Sequence, residues 1–183
     1  MTRRLFFFFV FSVVGPRADA QAGGWQNLVP SGFTILDSAS GDINRDGLRD
    51  YVVILKNDDE EEIGDTTRPL LLITGRAGGS FQLAERNDNV VMCKNCGGAF
   101  GDPYAAIVIK NNYFSIEHYG GSNWRWTRVI TFRYDAKTKN FLLHRDAGTS
   151  WHNSNIEKTE EHVYRKQDFG KKVFSRYNNE AGW

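Results

Sequence analysis

Residues 104–134 read YAAIVIKNNYFSIEHYGGSNWRWTRVITFRY, a run of apolar and turn-forming segments that indicates the fold class. Two apolar runs flank Asn111-Asn112, a pair that tolerates positive φ and therefore suits a two-residue hairpin turn. A second turn, Gly120-Gly121-Ser122-Asn123, leads into the longest run, Trp124 to Tyr134. Consecutive hairpins with short loops pair their strands antiparallel. The stretch therefore predicts an antiparallel meander.

Shorter apolar runs extend this pattern along the chain. The further predicted strands are Phe33–Leu36, Tyr51–Leu55, Leu70–Thr74, Ser80–Glu85 and Phe141–Arg145. The runs at 51–55 and 70–74 are apolar at consecutive positions, which is typical of strands covered on both faces. Near the C-terminus, Phe169, Val173, Phe174 and Tyr177 follow Asp168 at helical spacing, which predicts a short helix with Asp168 as its N-cap.

The expected fold is mainly β, an antiparallel meander forming an open sheet or sandwich of about eight strands with a short C-terminal helix. The chain has 183 residues, with 23 Lys and Arg against 22 Asp and Glu, so the formal net charge is +1. This length suits one domain with a real core. Balanced charge provides no strong field for DNA or RNA, so no nucleic-acid partner is expected. The acidic run at 58–62 is interpreted as a solvated loop.

The N-terminus has the order of a secretory signal. Arg3 and Arg4 precede the apolar run Leu5 to Val14, and Ala18-Asp19-Ala20 forms an A-x-A cleavage site. The apolar run is about ten residues long, shorter than the roughly 20 that a membrane-spanning helix needs. We therefore predict a signal peptide over residues 1–20 and a single β-rich domain over 21–183. The product is expected in the periplasm or outside the cell, with no membrane span after cleavage.

Residues 42–50 read DINRDGLRD, with oxygen-bearing side chains at positions 1, 3, 5 and 9 and glycine at position 6. This is the pattern of a calcium loop, because alternate side chains converge while the glycine permits a sharp turn. Hard oxygen ligands favour Ca²⁺ over zinc or copper. An EF-hand does not fit, since Val53 stands where its bidentate Glu belongs and a strand follows the loop.

A D-x-N-x-D-G-x-x-D loop that leads into a strand resembles the calcium loops of FG-GAP/VCBS repeats, as in integrin α-chain propellers and many exported bacterial proteins. The resemblance covers about residues 33–56. It implies a Ca²⁺ ion held by the side chains of Asp42, Asn44, Asp46 and Asp50 and by the carbonyl of Leu48. The motif occurs once, whereas a propeller needs at least about four blades, so a complete propeller is not expected. An Asx-rich turn without metal is the alternative.

The two cysteines lie in Cys93-Lys94-Asn95-Cys96. In an exported protein an even number of cysteines predicts a disulfide. A redox-active pair and a zinc site with histidine ligands are the alternatives. The first lacks a thioredoxin-like setting, and the second lacks another C-x-x-C.

The run from Trp124 contributes both core and surface candidates. By period two, one strand face carries Trp124, Trp126, Arg128, Ile130, Phe132 and Tyr134, and it is interpreted as the core face. Around the glycine-rich turn, a ligand-binding patch is the alternative, because Trp and Tyr rings stack on sugars or anchor protein partners. Arg125 adds a planar guanidinium suited to a carboxylate. The residues proposed for this patch are Tyr119, Trp124, Arg125 and Trp126.

No specific catalytic motif is present. The histidines form no H-E-x-x-H pattern, and Ser150, His152 and Asp146 lack a G-x-S-x-G elbow. Glu117 with Asp102 or Asp146 is a candidate for a glycosidase pair, a role that depends on the separation of the two carboxylates.

The leading functional interpretation is an exported, calcium-stabilised, non-enzymatic binding module for a glycan, an envelope component or a protein partner. The alternatives are a hydrolase of envelope polymers and an inhibitor or immunity-type partner. A closed pocket at His118, Glu117 and Asp102 would favour an enzyme. An open face carrying Trp124 and Tyr119 would favour binding.

Overall fold

Nine strands form two antiparallel sheets in the computed structural model, which describes residues 24–180. The strands are β1 Phe33–Gly41, β2 Asp50–Asn57, β3 Arg68–Gly75, β4 Phe81–Val91, β5 Tyr104–Lys110, β6 Tyr113–Gly121, β7 Trp124–Asp135, β8 Asn140–His152 and β9 Asn155–Arg165. Sheet I contains β1 to β4 and sheet II contains β5 to β9, each in sequential order. The predicted mainly β meander is therefore confirmed, and the described strands close into neither a barrel nor a propeller. The predicted signal peptide, residues 1–20, lies outside the described residues.

Helical segments are short. The α-helices are α1 Glu60–Ile63 and α2 Lys166–Phe169, and 3₁₀ turns lie at Trp25–Leu28 and Phe174–Arg176. Within residues 24–180, no helix has the length and apolar character needed to cross a membrane.

The main core lies between the two sheets. Along β6 and β7 alternate side chains point toward sheet I, so Phe114, Ile116, Ile130 and Phe132 are fully buried. The rings of Phe114 and Phe132 stack with centroids 5.3 Å apart. Sheet I contributes Val52, Ile54, Leu70 and Leu72 to the same cluster. This face-to-face packing of two inner apolar faces is that of a β-sandwich.

Sheet I is also covered on its outer face. A second buried cluster contains Val53, Leu55, Leu71 and Ile73, with Trp25 packed on it from the first 3₁₀ turn. Every residue of β3 is buried. The prediction that the runs at 51–55 and 70–74 are covered on both faces is therefore confirmed, and their unbroken apolar sequence follows from it.

The hairpin turn predicted at Asn111-Asn112 is confirmed, with φ of 52° and 64° at the two residues. The strand β9 was not expected, because Asn155–Arg165 has no apolar run. Strand β9 pairs with β8 through its backbone, and an edge strand needs little apolar surface of its own.

The C-terminal helix differs from its prediction. Helix α2 begins at Lys166 with Arg165 as N-cap, and Asp168 lies inside it. Its carboxylate accepts the backbone N–H of Arg165 at 2.7 Å, so Asp168 caps the helix from within. Gly170, at φ 70°, ends the helix after four residues. Phe174 and Tyr177 are buried, but they reach the core from a separate 3₁₀ turn and the residue after it.

Candidate functional site

The side chains on the inner face of strand β7 become more exposed toward the start of the strand. Arg128, Ile130 and Phe132 are buried on its inner face, the one toward sheet I, as the sequence predicts. Nearer its start Trp126 is half-buried, and Trp124 has 44% of its surface exposed. Trp124 was predicted in the core and is not part of it. The beginning of β7 and its hairpin with β6 therefore extend beyond the shared core as an accessible end of sheet II.

Aromatic rings surround an arginine on the outer face of this end. We name Phe100, Tyr119, Arg125 and Trp151 the aromatic platform. The Arg125 guanidinium carbon lies 4.4 Å from the Phe100 ring centroid, and Nη1 donates to the Tyr119 hydroxyl at 2.7 Å. Ring centroids of Phe100 and Tyr119 are 5.3 Å apart, and those of Tyr119 and Trp151 are 6.3 Å apart.

Glycines permit this assembly. Gly121 pairs with Arg125 across β6 and β7, so no side chain stands beside Arg125 on that strand. The loop before β5 docks there, because Gly121 donates its N–H to Gly97 at 2.8 Å and Ala99 donates to Gly121 at 3.0 Å. Gly121 has φ 112°, a conformation that favours glycine. The docked loop brings Phe100 over Arg125.

A disulfide immediately precedes the docked loop. Cys93 and Cys96 are bonded, with their Cα atoms 5.1 Å apart, so the predicted disulfide is confirmed. The Cys93 sulfur lies 3.1 Å from a carboxylate oxygen of Asp65, on the connection between α1 and β3. The disulfide restrains the chain where it enters the docked loop.

The inner face of the same end holds the other two predicted binding residues. Trp126 lines a pocket of 310 Å³ with Met92, Ser150 and His162. Its ring lies against Gly120, where an added Cβ would stand 2.5 Å from a ring carbon. Alternation along β6 and β7 thus divides the predicted patch. Tyr119 and Arg125 share the outer face, while Trp124 and Trp126 lie on the inner one.

A buried arginine connects the docked loop to sheet I. Arg68, which is 1% exposed, donates Nε and Nη2 to Glu60 at 2.7 and 2.9 Å. It also donates Nη1 and Nη2 to Asp102, both at 2.7 Å. Burial raises the pKa of Asp102, but the hydrogen bonds from Arg68 and from the Tyr104 backbone N–H, together with the Arg68 charge, hold that pKa below its ordinary value. The prediction of a solvated loop at 58–62 is wrong for Glu60, which is 2% exposed.

A second buried arginine lies beneath the hairpin. Arg128 donates Nε and Nη2 to the carboxylate of Asp146 at 2.9 and 2.7 Å, and the Tyr177 hydroxyl donates to the same carboxylate at 2.7 Å. Burial and the adjacent Asp146 carboxylate raise the pKa of Tyr177. This network joins β7, β8 and the C-terminal segment.

His118 lies beside this network and is 2% exposed. Its Nε2 accepts the backbone N–H of Met92 at 3.3 Å, and Nδ1 has no hydrogen-bond partner. Burial first and the nearby Arg128 charge second lower the pKa of His118 to about 4. The imidazole is therefore neutral near pH 7 and sealed from solvent.

The residues weighed for catalysis do not converge. Glu117 points away from His118 because neighbours on a strand face opposite ways, and Asp102 is held by Arg68. Asp146 is engaged by Arg128, while the His152 ring contacts the Ser154 hydroxyl at 2.8 Å rather than Ser150. Neither grouping forms an open catalytic pocket.

The loop at 42–49 joins β1 to β2, and hydrogen bonds from its backbone N–H groups to its own side-chain oxygens hold it in shape. Asp42 accepts the N–H groups of Asp46 and Gly47 at 3.1 and 3.0 Å. Asn44 accepts the N–H of Asp46 at 2.9 Å, and Asp46 accepts that of Leu48 at 2.8 Å. Gly47 has φ 81°, as the predicted sharp turn requires. The side-chain oxygens of Asp42, Asn44 and Asp46 thus accept hydrogen bonds from the backbone of the loop itself.

Asp50 lies at the base of this loop and is fully buried. One carboxylate oxygen accepts the N–H of Ile43 at 2.9 Å, and the other accepts that of Gly75 at 3.0 Å. Burial raises the pKa of Asp50, although these backbone donors oppose the rise. Within residues 24–180, no three His, Cys, Asp or Glu side chains group to hold a metal. The Asn44 amide nitrogen donates to the Asp46 carboxylate at 2.8 Å.

Comparison of the chain with protein-family models, with curated proteins and with solved structures finds no match. Its function is therefore inferred from its own geometry.

Proposed function

We propose that the chain is an exported, non-enzymatic binding module that takes a glycan on the aromatic platform. The observation that carries this proposal is the set of rings around Arg125 at the accessible end of sheet II. Among the groups weighed for catalysis, by contrast, His118 is buried, and Asp102 and Asp146 are engaged in ion pairs. An envelope component that is not a glycan, or a protein partner of the inhibitor or immunity class, is the competing occupant. No specific observation favours a hydrolase.

A glycan suits this surface for physical reasons. Aromatic rings present apolar faces that pack against the C–H face of a pyranose, and Tyr adds a hydroxyl for hydrogen bonding. Thr127 and Thr149 pair across β7 and β8 on the same face, so their hydroxyls stand beside the platform. A sugar ring therefore meets both apolar and polar groups within one patch.

Glycan binding is tested with residues 21–183 on a glycan array and with purified envelope polysaccharides. Trp151→Ala and Phe100→Ala each remove a platform ring, and truncating such an anchor costs roughly 2 kcal/mol or more of binding free energy. Tyr164→Ala is the matched control, because Tyr164 is also exposed and lies on β9. Failure to bind any glycan, or binding that survives both platform variants, contradicts the proposal. Capture of one protein partner instead would support the inhibitor class.

We also infer that residues 1–20 direct export and are removed after Ala20. The disulfide between Cys93 and Cys96 is compatible with an oxidising compartment. Intact-mass analysis of the exported product is expected to give a chain that begins at Gln21. A mature product that retains Met1 would contradict this inference.

A further proposal is that Ca²⁺ binds the loop between β1 and β2. Asp42, Asn44 and Asp46 would hold the ion with the Leu48 carbonyl, and Asp50 would complete the set from the loop base. The loop offers oxygen donors only, which fits a hard cation. The ion would neutralise neighbouring carboxylates and stabilise the turn.

A further inference from the structure

We propose that the aromatic platform selects glycans that carry carboxylates, with Arg125 as the carboxylate-binding residue. This inference rests on the proposed glycan function and names the sugar class, a uronate. Three features of the platform support it: the fixed position of Arg125, its lack of an acidic partner, and its spacing from Trp151.

Arg125 is held in place before any ligand arrives. Phe100 packs on one side of the guanidinium at 4.4 Å, and Tyr119 accepts one N–H at 2.7 Å. A guanidinium has five N–H donors in a rigid fork, so a single bond to Tyr119 leaves the capacity for a paired contact to a carboxylate. A preorganised side chain also loses less conformational entropy on binding.

The charge of Arg125 is not balanced as that of the two buried arginines is. Arg68 and Arg128 are each 1% exposed and each pair with a carboxylate of the chain. Among the described residues, no carboxylate forms an ion pair with Arg125. On the same sheet face Glu117 is opposite Val129 and Glu161 is opposite Thr149, so neither is its cross-strand neighbour. An acidic ligand would supply the missing counter-charge in a site partly shielded by rings.

The spacing of the platform matches a uronate. Trp151 is the direct cross-strand partner of Arg125 on β8, and such partners have Cβ atoms about 4.5–5.5 Å apart. In a uronate the carboxylate is bonded directly to the pyranose ring. A ring stacked on Trp151 therefore places its carboxylate beside Arg125, whereas a neutral hexose offers only a hydroxymethyl group there.

Polygalacturonate and its fully methyl-esterified form make a matched pair of probes, since they share a backbone and differ in charge. We expect residues 21–183 to bind the acid at least about tenfold more tightly than the ester, measured by calorimetry near physiological salt. Arg125→Gln should remove this preference, and Arg125→Lys should retain only part of it because the fork is lost. Arg133→Gln is the control, because Arg133 is exposed on the same face of β7.

Equal binding of acid and ester by the unmutated chain overturns the uronate inference while leaving glycan binding intact. So does an equal loss in Arg133→Gln, which would indicate unspecific attraction between charges. Absence of binding to every glycan tested would instead contradict the proposed function. Should Arg125→Gln fail to fold, as judged by its melting curve, the comparison of acid with ester on the unmutated chain still decides the inference.

Discussion

Single buried charges determine much of this structure at the scale of the residue. Arg68 is satisfied by two carboxylates from separate segments, Glu60 on α1 and Asp102 before β5. A buried ion pair is weak evidence of net stabilisation, because desolvation opposes the attraction. Removal of one carboxylate is costly, however, since it takes charge-assisted hydrogen bonds from a buried guanidinium. Arg68 therefore makes the position of the docked loop depend on α1.

Replacement of Glu60 by Gln tests this dependence. We expect Glu60→Gln to lower the free energy of unfolding by roughly 2 kcal/mol, because Arg68 loses its charge-assisted hydrogen bonds to Glu60 while Asp102 still balances its charge. Glu61→Gln is the matched control. Glu61 is exposed and pairs with Lys94 at the surface, so its replacement should leave the denaturant midpoint unchanged. Equal effects of the two substitutions would show that burial of Glu60 is not what matters.

The pKa of His118 predicts a pH dependence of stability. The pKa is lowered to about 4 in the fold from an ordinary 6.5, so below the ordinary value the unfolded chain binds a proton that the folded chain rejects. The stability that the neutral His118 contributes is therefore fully present above about pH 6.5. It is lost as the pH falls from there toward about 4. The loss from His118 between about pH 7.5 and pH 5 is about 2 kcal/mol.

Denaturant unfolding at the two pH values measures this loss. His118→Gln should show a smaller decline than the unmutated chain, because an amide oxygen still accepts the Met92 N–H but does not titrate. His152→Gln is the control, since His152 is only partly buried, and it should decline like the unmutated chain. An identical decline in all three would contradict the assignment.

At the scale of the element, the loop between β1 and β2 provides the calcium prediction. Calcium that binds only the folded state raises the free energy of unfolding by about 2.7 kcal/mol when its concentration is a hundredfold above Kd. Extracellular modules bind calcium with Kd of roughly 10⁻⁴ to 10⁻³ M. Millimolar calcium should thus raise the melting temperature, and Asp46→Ala should remove most of the rise. Arg45→Ala should preserve it, because Arg45 is exposed and its side chain has no oxygen to offer a cation. A melting temperature indifferent to calcium and chelator would leave the loop an ordinary Asx turn.

Local sequence predicts those elements whose cause is local. The hairpin at Asn111-Asn112 follows from the tolerance of asparagine for positive φ, and both residues have it. Strand β9 could not be predicted in this way, because β8 orders it through backbone pairing rather than through an apolar pattern. Helix α2 was misplaced because the apolar spacing extended past Gly170, where the helix ends. Glu60 was misassigned since its partner Arg68 comes from another element.

The candidate site was also predicted only in part. Tyr119 and Arg125 were found because they flank one turn in sequence. Phe100 and Trp151 were missed, since they reach Arg125 through a docked loop and a cross-strand pairing. The glycines at 97–98 and 120–121 were the available signal, because two backbones without side chains can approach closely.

At the scale of the whole molecule, sheet I lies between two apolar layers. Its inner face packs on sheet II, and its outer face is covered by the 3₁₀ turn that contains Trp25. Strand β2 contributes to both layers, with Val52 and Ile54 inside and Val53 and Leu55 outside. The outer cover and the main core should therefore unfold together.

Truncation of Trp25 tests this coupling. Trp25 is 8% exposed and its ring lies 5.0 Å from that of Tyr51, so Trp25→Ala should cost about 3 kcal/mol or more. For a domain of this size that corresponds to roughly 6–12 °C in melting temperature. Trp124→Ala removes the same side chain from an exposed position and should change stability little. We expect a single unfolding transition in Trp25→Ala. Far-ultraviolet circular dichroism, which reports the backbone, and near-ultraviolet circular dichroism, which reports the packed rings of sheet II, should give the same melting temperature. Separate transitions would mean that the two sheets are stabilised independently, and that the cover formed by Trp25 supports sheet I alone.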